Sequence, residues 1–334
     1  MNATISHMPR PAAWRRKGGT PMDIVMHLGA HRTASTCFQH YLRENSAKLG
    51  AQGIAVWGSW RTRDGLLTGV MPVAGVMRFA KLQLQRARGR IALAQHRAKN
   101  NGMRQLIVSD ENMIGAPRRN LRDSKLYAGA GERMARYSEA FDNKVSRVVL
   151  SIRSQDSYWS SALAFSVGRG HRLPDTDALD RLVTSNRHWR DVIRDLYCAL
   201  PNAGILVMPY EEFGGRPEEK LSCLAGLASP PMKSAREWIN RSPSVSQLRQ
   251  ILHDRGEDPA ALPKEDGRWH PFDHAQTMAL KESYADDLFW LRAGTDGMAT
   301  LIEETGADKM GITPQQPQMT RGQNPNGIEN RRMA

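Results

Sequence analysis

One stretch constrains this chain more than any other: residues 24–42, Ile-Val-Met-His-Leu-Gly-Ala-His-Arg-Thr-Ala-Ser-Thr-Cys-Phe-Gln-His-Tyr-Leu. The apolar run from Ile24 to Leu28 predicts a buried parallel strand. Gly29 begins a short turn. Thr33, Ser35 and Thr36 follow, and Phe38, Tyr41 and Leu42 fall at helical spacing. A strand that breaks into a small-residue loop and feeds a helix makes an anion cradle. The first-turn N–H groups lack intrahelical partners, and the helix dipole favours negative charge there. Arg32 adds a full positive charge. The stretch therefore predicts a site for a phosphate or phosphosulfate group.

The phosphate-loop pattern G-x-x-x-x-G-K-[ST] can be laid over residues 29–36, Gly-Ala-His-Arg-Thr-Ala-Ser-Thr. The frame fits, but Ala34 stands where the second glycine belongs and Ser35 where the lysine belongs. An ATP or GTP hydrolase needs that lysine on the β- and γ-phosphates. Ser35 cannot supply the charge; Arg32 supplies one three positions earlier. Downstream, strands are predicted over 53–57, 105–109, 146–152 and 204–208, each followed by a helical or polar segment. Alternation of this kind predicts an α/β fold with a central, mostly parallel sheet and flanking helices, in three P-loop-like layers.

Ligands collect at the carboxyl ends of strands in such sheets. Glu111, just after the strand 105–109, is therefore expected near the cradle rim if the two strands are neighbours. Asp110 or Asn112 is also a natural cap for the next segment. After the strand 146–152 comes Arg153, with Ser161 eight residues on. An arginine binds phosphate bidentately, and a hydroxyl beside it adds a donor. Cys37 is read as a small packing residue, since no base partner for a nucleophilic thiol is identifiable. His270 to His274 has two histidines and an aspartate but no zinc-type spacing, so no metal site is expected.

These landmarks together resemble the P-loop-like sulfotransferase superfamily, in the bacterial branch whose loop reads roughly His-Lys-Thr-Gly-Thr-Thr-Ser-x-Gln. Here the stretch is His31-Arg32-Thr33-Ala34-Ser35-Thr36-Cys37-Phe38-Gln39. Arg153 and Ser161 match the family's strand-Arg and spaced Ser. Ser109-Asp110-Glu111 matches Ser-x-Glu, Tyr210-Glu211-Glu212-Phe213 matches Tyr-Glu-Asp-Leu loosely, and Tyr284 with Asp287-Leu288 matches Tyr-x-x-Asp-Leu. The resemblance implies sulfuryl transfer from 3′-phosphoadenosine 5′-phosphosulfate (PAPS) to a hydroxyl or amine, with no metal. It implies that Arg32, Thr33, Ala34, Ser35, Thr36 and Cys37 hold the 5′-phosphosulfate, Arg32 also stabilising the leaving oxygen. Arg153 and Ser161 would hold the 3′-phosphate. Glu111 is the expected general base, with His31 and His171 as rivals. Two departures stand out: Arg for Lys at 32, and Ala for Gly at 34, which is strained if that position needs positive φ.

The chain has 334 residues and a net charge of +13. That excess suggests an anionic partner such as a nucleotide, an acidic glycan or an anionic membrane. Residues 78–104 carry eight Arg or Lys and no acid. They are expected to form a helical basic insertion within 58–104, facing solvent, an acidic acceptor or a membrane surface. Nucleic acid is disfavoured by 7% aromatic content and the lack of a recognised motif. A P-loop kinase or NTPase, with 107–111 as its second acidic strand end, is the alternative enzyme; a non-catalytic anion or nucleic-acid binder is the alternative outside enzymes. Three cysteines without a C-x-x-C predict a reducing, cytoplasmic setting. No run approaches the roughly 18 apolar residues of a membrane span. Residues 1–21 read as a mobile basic leader without a secretory apolar segment, 22–306 as one domain, and 307–334 as a disordered tail.

Overall fold

The computed structural model describes residues 22–72 and 77–303. The expected leader and the expected tail lie outside the described residues. Strand β1 (Asp23–His27) is followed by α1 (Ser35–Glu44) and α2 (Ser46–Ala51), and β2 (Ile54–Gly58) by α3 (Ser59–Arg61) and α4 (Ala80–Asn100). Strand β3 (Gln105–Ser109) leads to α5 (Pro117–Asp123) and α6 (Ala130–Ala140). Strand β4 (Val145–Ile152) leads to α7 (Gln155–Val167), α8 (Thr176–Val183) and α9 (Trp189–Ala199). After β5 (Gly204–Pro209) come α10 (Tyr210–Phe213), α11 (Pro217–Ala225), α12 (Val245–Asp254) and α13 (His274–Arg292), and β6 (Thr300–Leu301) ends the sheet.

The sheet order is β2-β3-β1-β4-β5-β6, and each of its pairings is parallel. Strand side chains alternate between the two faces, so each face must be covered by helices. On one face Met26, Val108, Val148 and Val207 pack with Leu84 and Ile91 of α4, Met134 of α6, Trp159 of α7 and Ile193 of α9. On the other, Val25, Ile107, Val149 and Leu206 pack with Phe38, Tyr41 and Leu42 of α1, Leu49 of α2 and Leu221 of α11. The result is the expected three-layer α/β architecture. Helix α7 is apolar or small nearly all round and is buried on most of its surface, including Ser160 and Ser161, as a helix without a solvent face must be.

Helix α4, within the stretch expected as a basic insertion, follows β2 and precedes β3, and its Leu84 and Ile91 join the core. Helices α8 and α9 are separate because the chain restarts at His188, the N-cap of α9, whose amide donates to Asp191 Oδ2 at 2.9 Å. From β1 the chain moves to β2, returns to β3 beside β1, and then crosses to β4 on β1's other side. The carboxyl end of β1 is thus the topological switch point, where a crevice opens between diverging connections.

Candidate functional site

The loop after β1 sits at that switch point. Its first part prolongs the sheet: the amides of Leu28 and Ala30 donate to the carbonyls of Val149 and Ser151, each at 2.9 Å. Gly29 has φ +51°, and a Cβ there would meet Ser35 Oγ at 2.3 Å, so a side chain is excluded. The loop is closed by its hydroxyls. Thr33 Oγ1 and Ser35 Oγ both donate to the Ala30 carbonyl, at 2.6 and 3.1 Å. Arg32 and Ala34 take left-handed conformations, φ 66° and 60°. Ala34 therefore does occupy the glycine-type conformation that its place in the loop pattern implied. It is also the N-cap of α1 and brings no side-chain cap, so the first-turn amides of Ser35, Thr36 and Cys37 have no capping acceptor from it.

The structure brings Arg32, Arg153 and Ser161 together. Arg32 Nε donates to Ser161 Oγ at 3.0 Å, and Nη2 donates to Ser242 Oγ and the Asn240 carbonyl at 2.8 and 3.1 Å. Its guanidinium also stacks 4.6 Å from the Phe165 ring centre, against which Arg169 lies as well, at 4.3 Å. Arg153 Nη1 donates to the Arg32 carbonyl at 2.8 Å, and its guanidinium lies 4.5 Å from the Tyr210 ring. Arg153 is buried, and its Nε has no hydrogen-bond partner among the described residues. Burial, and next the charge of Arg153, push the Arg32 guanidinium down to about 10, still cationic at neutral pH. Among the described residues neither guanidinium is ion-paired to a carboxylate. Two close cations with only neutral acceptors are a costly arrangement that an anion relieves.

Glu111 lies against the loop helix, at Gln39. Strand β3 lies against β1 with Ser109 opposite His27, and Glu111 Oε2 accepts from Gln39 Nε2 of α1 at 2.5 Å. Arg63 Nη2 donates to Glu111 Oε1 at 3.0 Å and to Asp110 Oδ1 at 2.6 Å. Asp110 also caps the short turn that follows, accepting from the Asn112 amide. His31 is engaged on both ring nitrogens: Nδ1 pairs with Tyr127 Oη at 2.9 Å and Nε2 with Asn112 Oδ1 at 3.1 Å. Tyr127 Oη already accepts from the His31 amide and from Tyr158 Oη, so its own proton goes to Nδ1 and Nε2–H donates to Asn112. Burial holds this imidazole below its ordinary value. His171 lies in the loop before α8, where its carbonyl accepts from Arg255.

Thr36 Oγ1 accepts from Asn240 Nδ2 at 3.5 Å, and Cys37 Sγ exchanges hydrogen bonds with the backbone of Ile239. The segment 239–242 thus crosses the loop as a strap, touching Arg32, Thr36, Cys37 and Ser161. Sequence reasoning missed it, because it carries no motif and no periodicity. Its only advance signal was its position between two helices. Lys220 was also missed. This lysine of α11 is 2% exposed; its Nζ donates to Ser151 Oγ at 3.2 Å and lies 5.4 Å from the Phe38 ring. Burial lowers its ammonium to about 8.

The remaining landmarks form a brace behind Arg153. Glu211 accepts from the Ser154 amide at 3.0 Å and from Tyr284 Oη at 2.8 Å. Asp287, fully buried, accepts from Gln155 Nε2, the Trp189 amide and Arg190 Nε. Trp189 Nε1 in turn donates to the Arg153 carbonyl at 2.8 Å. Asp273 of the histidine cluster is the N-cap of α13, accepting from the Gln276 amide.

The fold and the site define an α/β protein whose first strand feeds a glycine-containing loop edged by two arginines. No family model matches the chain, and none of the curated proteins matches it.

Proposed function

We propose that this chain is a sulfotransferase that moves a sulfuryl group from PAPS to a hydroxyl or amine acceptor, in the P-loop-like sulfotransferase superfamily. The observation that carries the reading is the convergence of Arg32, Arg153 and Ser161 at the carboxyl edge of β1 and β4 with no carboxylate paired to either guanidinium among the described residues. Because Arg32 is tied to Ser161, we assign both, with Arg153, to the 3′-phosphate side of the donor. The first-turn amides of Ser35, Thr36 and Cys37 then take the phosphosulfate. In transfer, the acceptor oxygen or nitrogen bonds to sulfur as the bond from sulfur to the donor's bridging oxygen breaks. The products are the sulfated acceptor and 3′-phosphoadenosine 5′-phosphate.

Glu111 receives the acceptor proton in this reading. Gln39 and Arg63 hold its carboxylate in place, and a positioned base contributes roughly 10²–10⁴-fold. His31, with both nitrogens engaged, positions the loop instead. The kinase or NTPase alternative is disfavoured because Ser35 stands in the lysine position and its hydroxyl is committed to the Ala30 carbonyl. The positive charge supports an anionic carbohydrate or glycolipid acceptor, and the three unbridged cysteines support a cytoplasmic setting. The test is transfer of labelled sulfate from PAPS to a panel of hydroxyl and amine acceptors. Glu111→Gln is expected to lower kcat by about 10²-fold or more while leaving 3′-phosphoadenosine 5′-phosphate binding unchanged. Undiminished turnover would remove Glu111 as the base.

A further inference from the structure

The longest crossover helix presents a face that the proposed transfer reaction does not use. Leu84, Ala87, Ile91 and Ala94 bury one side of α4 in the core. On the opposite side Leu82, Arg86, Gly89, Leu93 and Arg97 follow one another at spacings of four and three residues, which places them in a single outward stripe. All five are exposed; Leu82 is 45% and Leu93 51% accessible, and Phe79 just before the helix is 42%. Leu82 and Leu93 stand about 17 Å apart along the axis. Residues 78–104 contain no acid. Among the described residues Arg86 and Arg97 have no ion-pair partner, while Arg88 is held by Asp142. The positive field continues past the helix. Arg61, stacked 4.9 Å from Trp57, has its guanidinium pushed down by burial and then by the charge of Arg97.

A soluble polyanion would be met by arginines alone. Large apolar side chains left in water between arginines fit a bilayer surface, where acyl chains cover the leucines and lipid phosphates meet the guanidinium groups. We propose that the Leu82–Arg97 stripe of α4 is a docking surface for anionic membrane, with Leu82 and Leu93 entering the headgroup boundary. Since α4 runs back from the carboxyl end of β2, its Leu82 end lies towards the edge of the sheet that carries the candidate site. The surface stands independently of the proposed reaction.

The test is co-sedimentation of the full chain with phosphatidylcholine vesicles, with and without phosphatidylserine, and in parallel with a soluble sulfated polysaccharide. The expected result is binding to the anionic vesicles and not the neutral ones. R86E/R97E and L82S/L93S should each weaken vesicle binding about tenfold or more, with unchanged thermal unfolding. Failure to bind anionic vesicles, or vesicle binding that neither double substitution alters, would overturn the proposal. Polysaccharide binding equal to vesicle binding and unaffected by L82S/L93S would also overturn it, assigning the stripe to a soluble polyanion.

Discussion

At the scale of single residues, the loop is held by choices that cost stability. Ala34 sits at φ 60° with a Cβ, a conformation that costs a non-glycine residue roughly 1 kcal/mol. Ala34→Gly is therefore expected to raise the unfolding free energy by up to about 1 kcal/mol, read by chemical denaturation; a loss of stability would show that the Cβ contributes packing that outweighs the strain. The missing glycine was legible in the loop pattern, and so was its consequence. Lys220 was not: nothing in Pro217–Ala225 tells which of its polar residues the sheet will cover. A base whose value falls from 10.5 to about 8 on folding is charged and buried below pH 8, and that cost disappears as pH rises towards 10.5. Stability should therefore rise across this window by at most about 3 kcal/mol. Lys220→Met should abolish that rise and be the more stable form at pH 7; parallel pH profiles for the two proteins would contradict this.

The strand-loop-helix unit was the most legible element, because apolar runs, a glycine and helical spacing are local signals. Five strands were found within a residue or so at their ends. Strand β6, of two residues, carries no pattern long enough to read. The strap 239–242 has no periodicity at all; its role comes from contacts some 80 to 210 residues distant in sequence, which only the folded chain creates. The loop's two halves should behave differently in hydrogen exchange. The Leu28 and Ala30 amides, bonded to β4, should exchange as slowly as core strand amides. Those of Ser35, Thr36 and Cys37 should exchange fast and become protected when 3′-phosphoadenosine 5′-phosphate is added. Protection that does not change with the nucleotide would place the ligand elsewhere.

Across the whole molecule, the sheet order does what no single motif does. It puts β1 between β3 and β4, so the ends of three strands carry Glu111, the loop and Arg153 along one edge. The α/β class was legible from alternation of strand and helix; the order of strands was not, since pairing is a long-range property. The sequence landmarks at Glu211 and Tyr284–Asp287 are connected, bracing α7 and the Arg153 carbonyl from behind. The proposed function requires this edge to recognise a 3′-phosphorylated nucleotide. The most direct measurement is thermal unfolding with 3′-phosphoadenosine 5′-phosphate, compared with ATP and magnesium, in the wild type and Arg153→Ala. The expected result is stabilisation by the 3′-phosphorylated nucleotide that Arg153→Ala largely removes, and little effect of ATP. Stabilisation by ATP with magnesium, and none by 3′-phosphoadenosine 5′-phosphate, would contradict it.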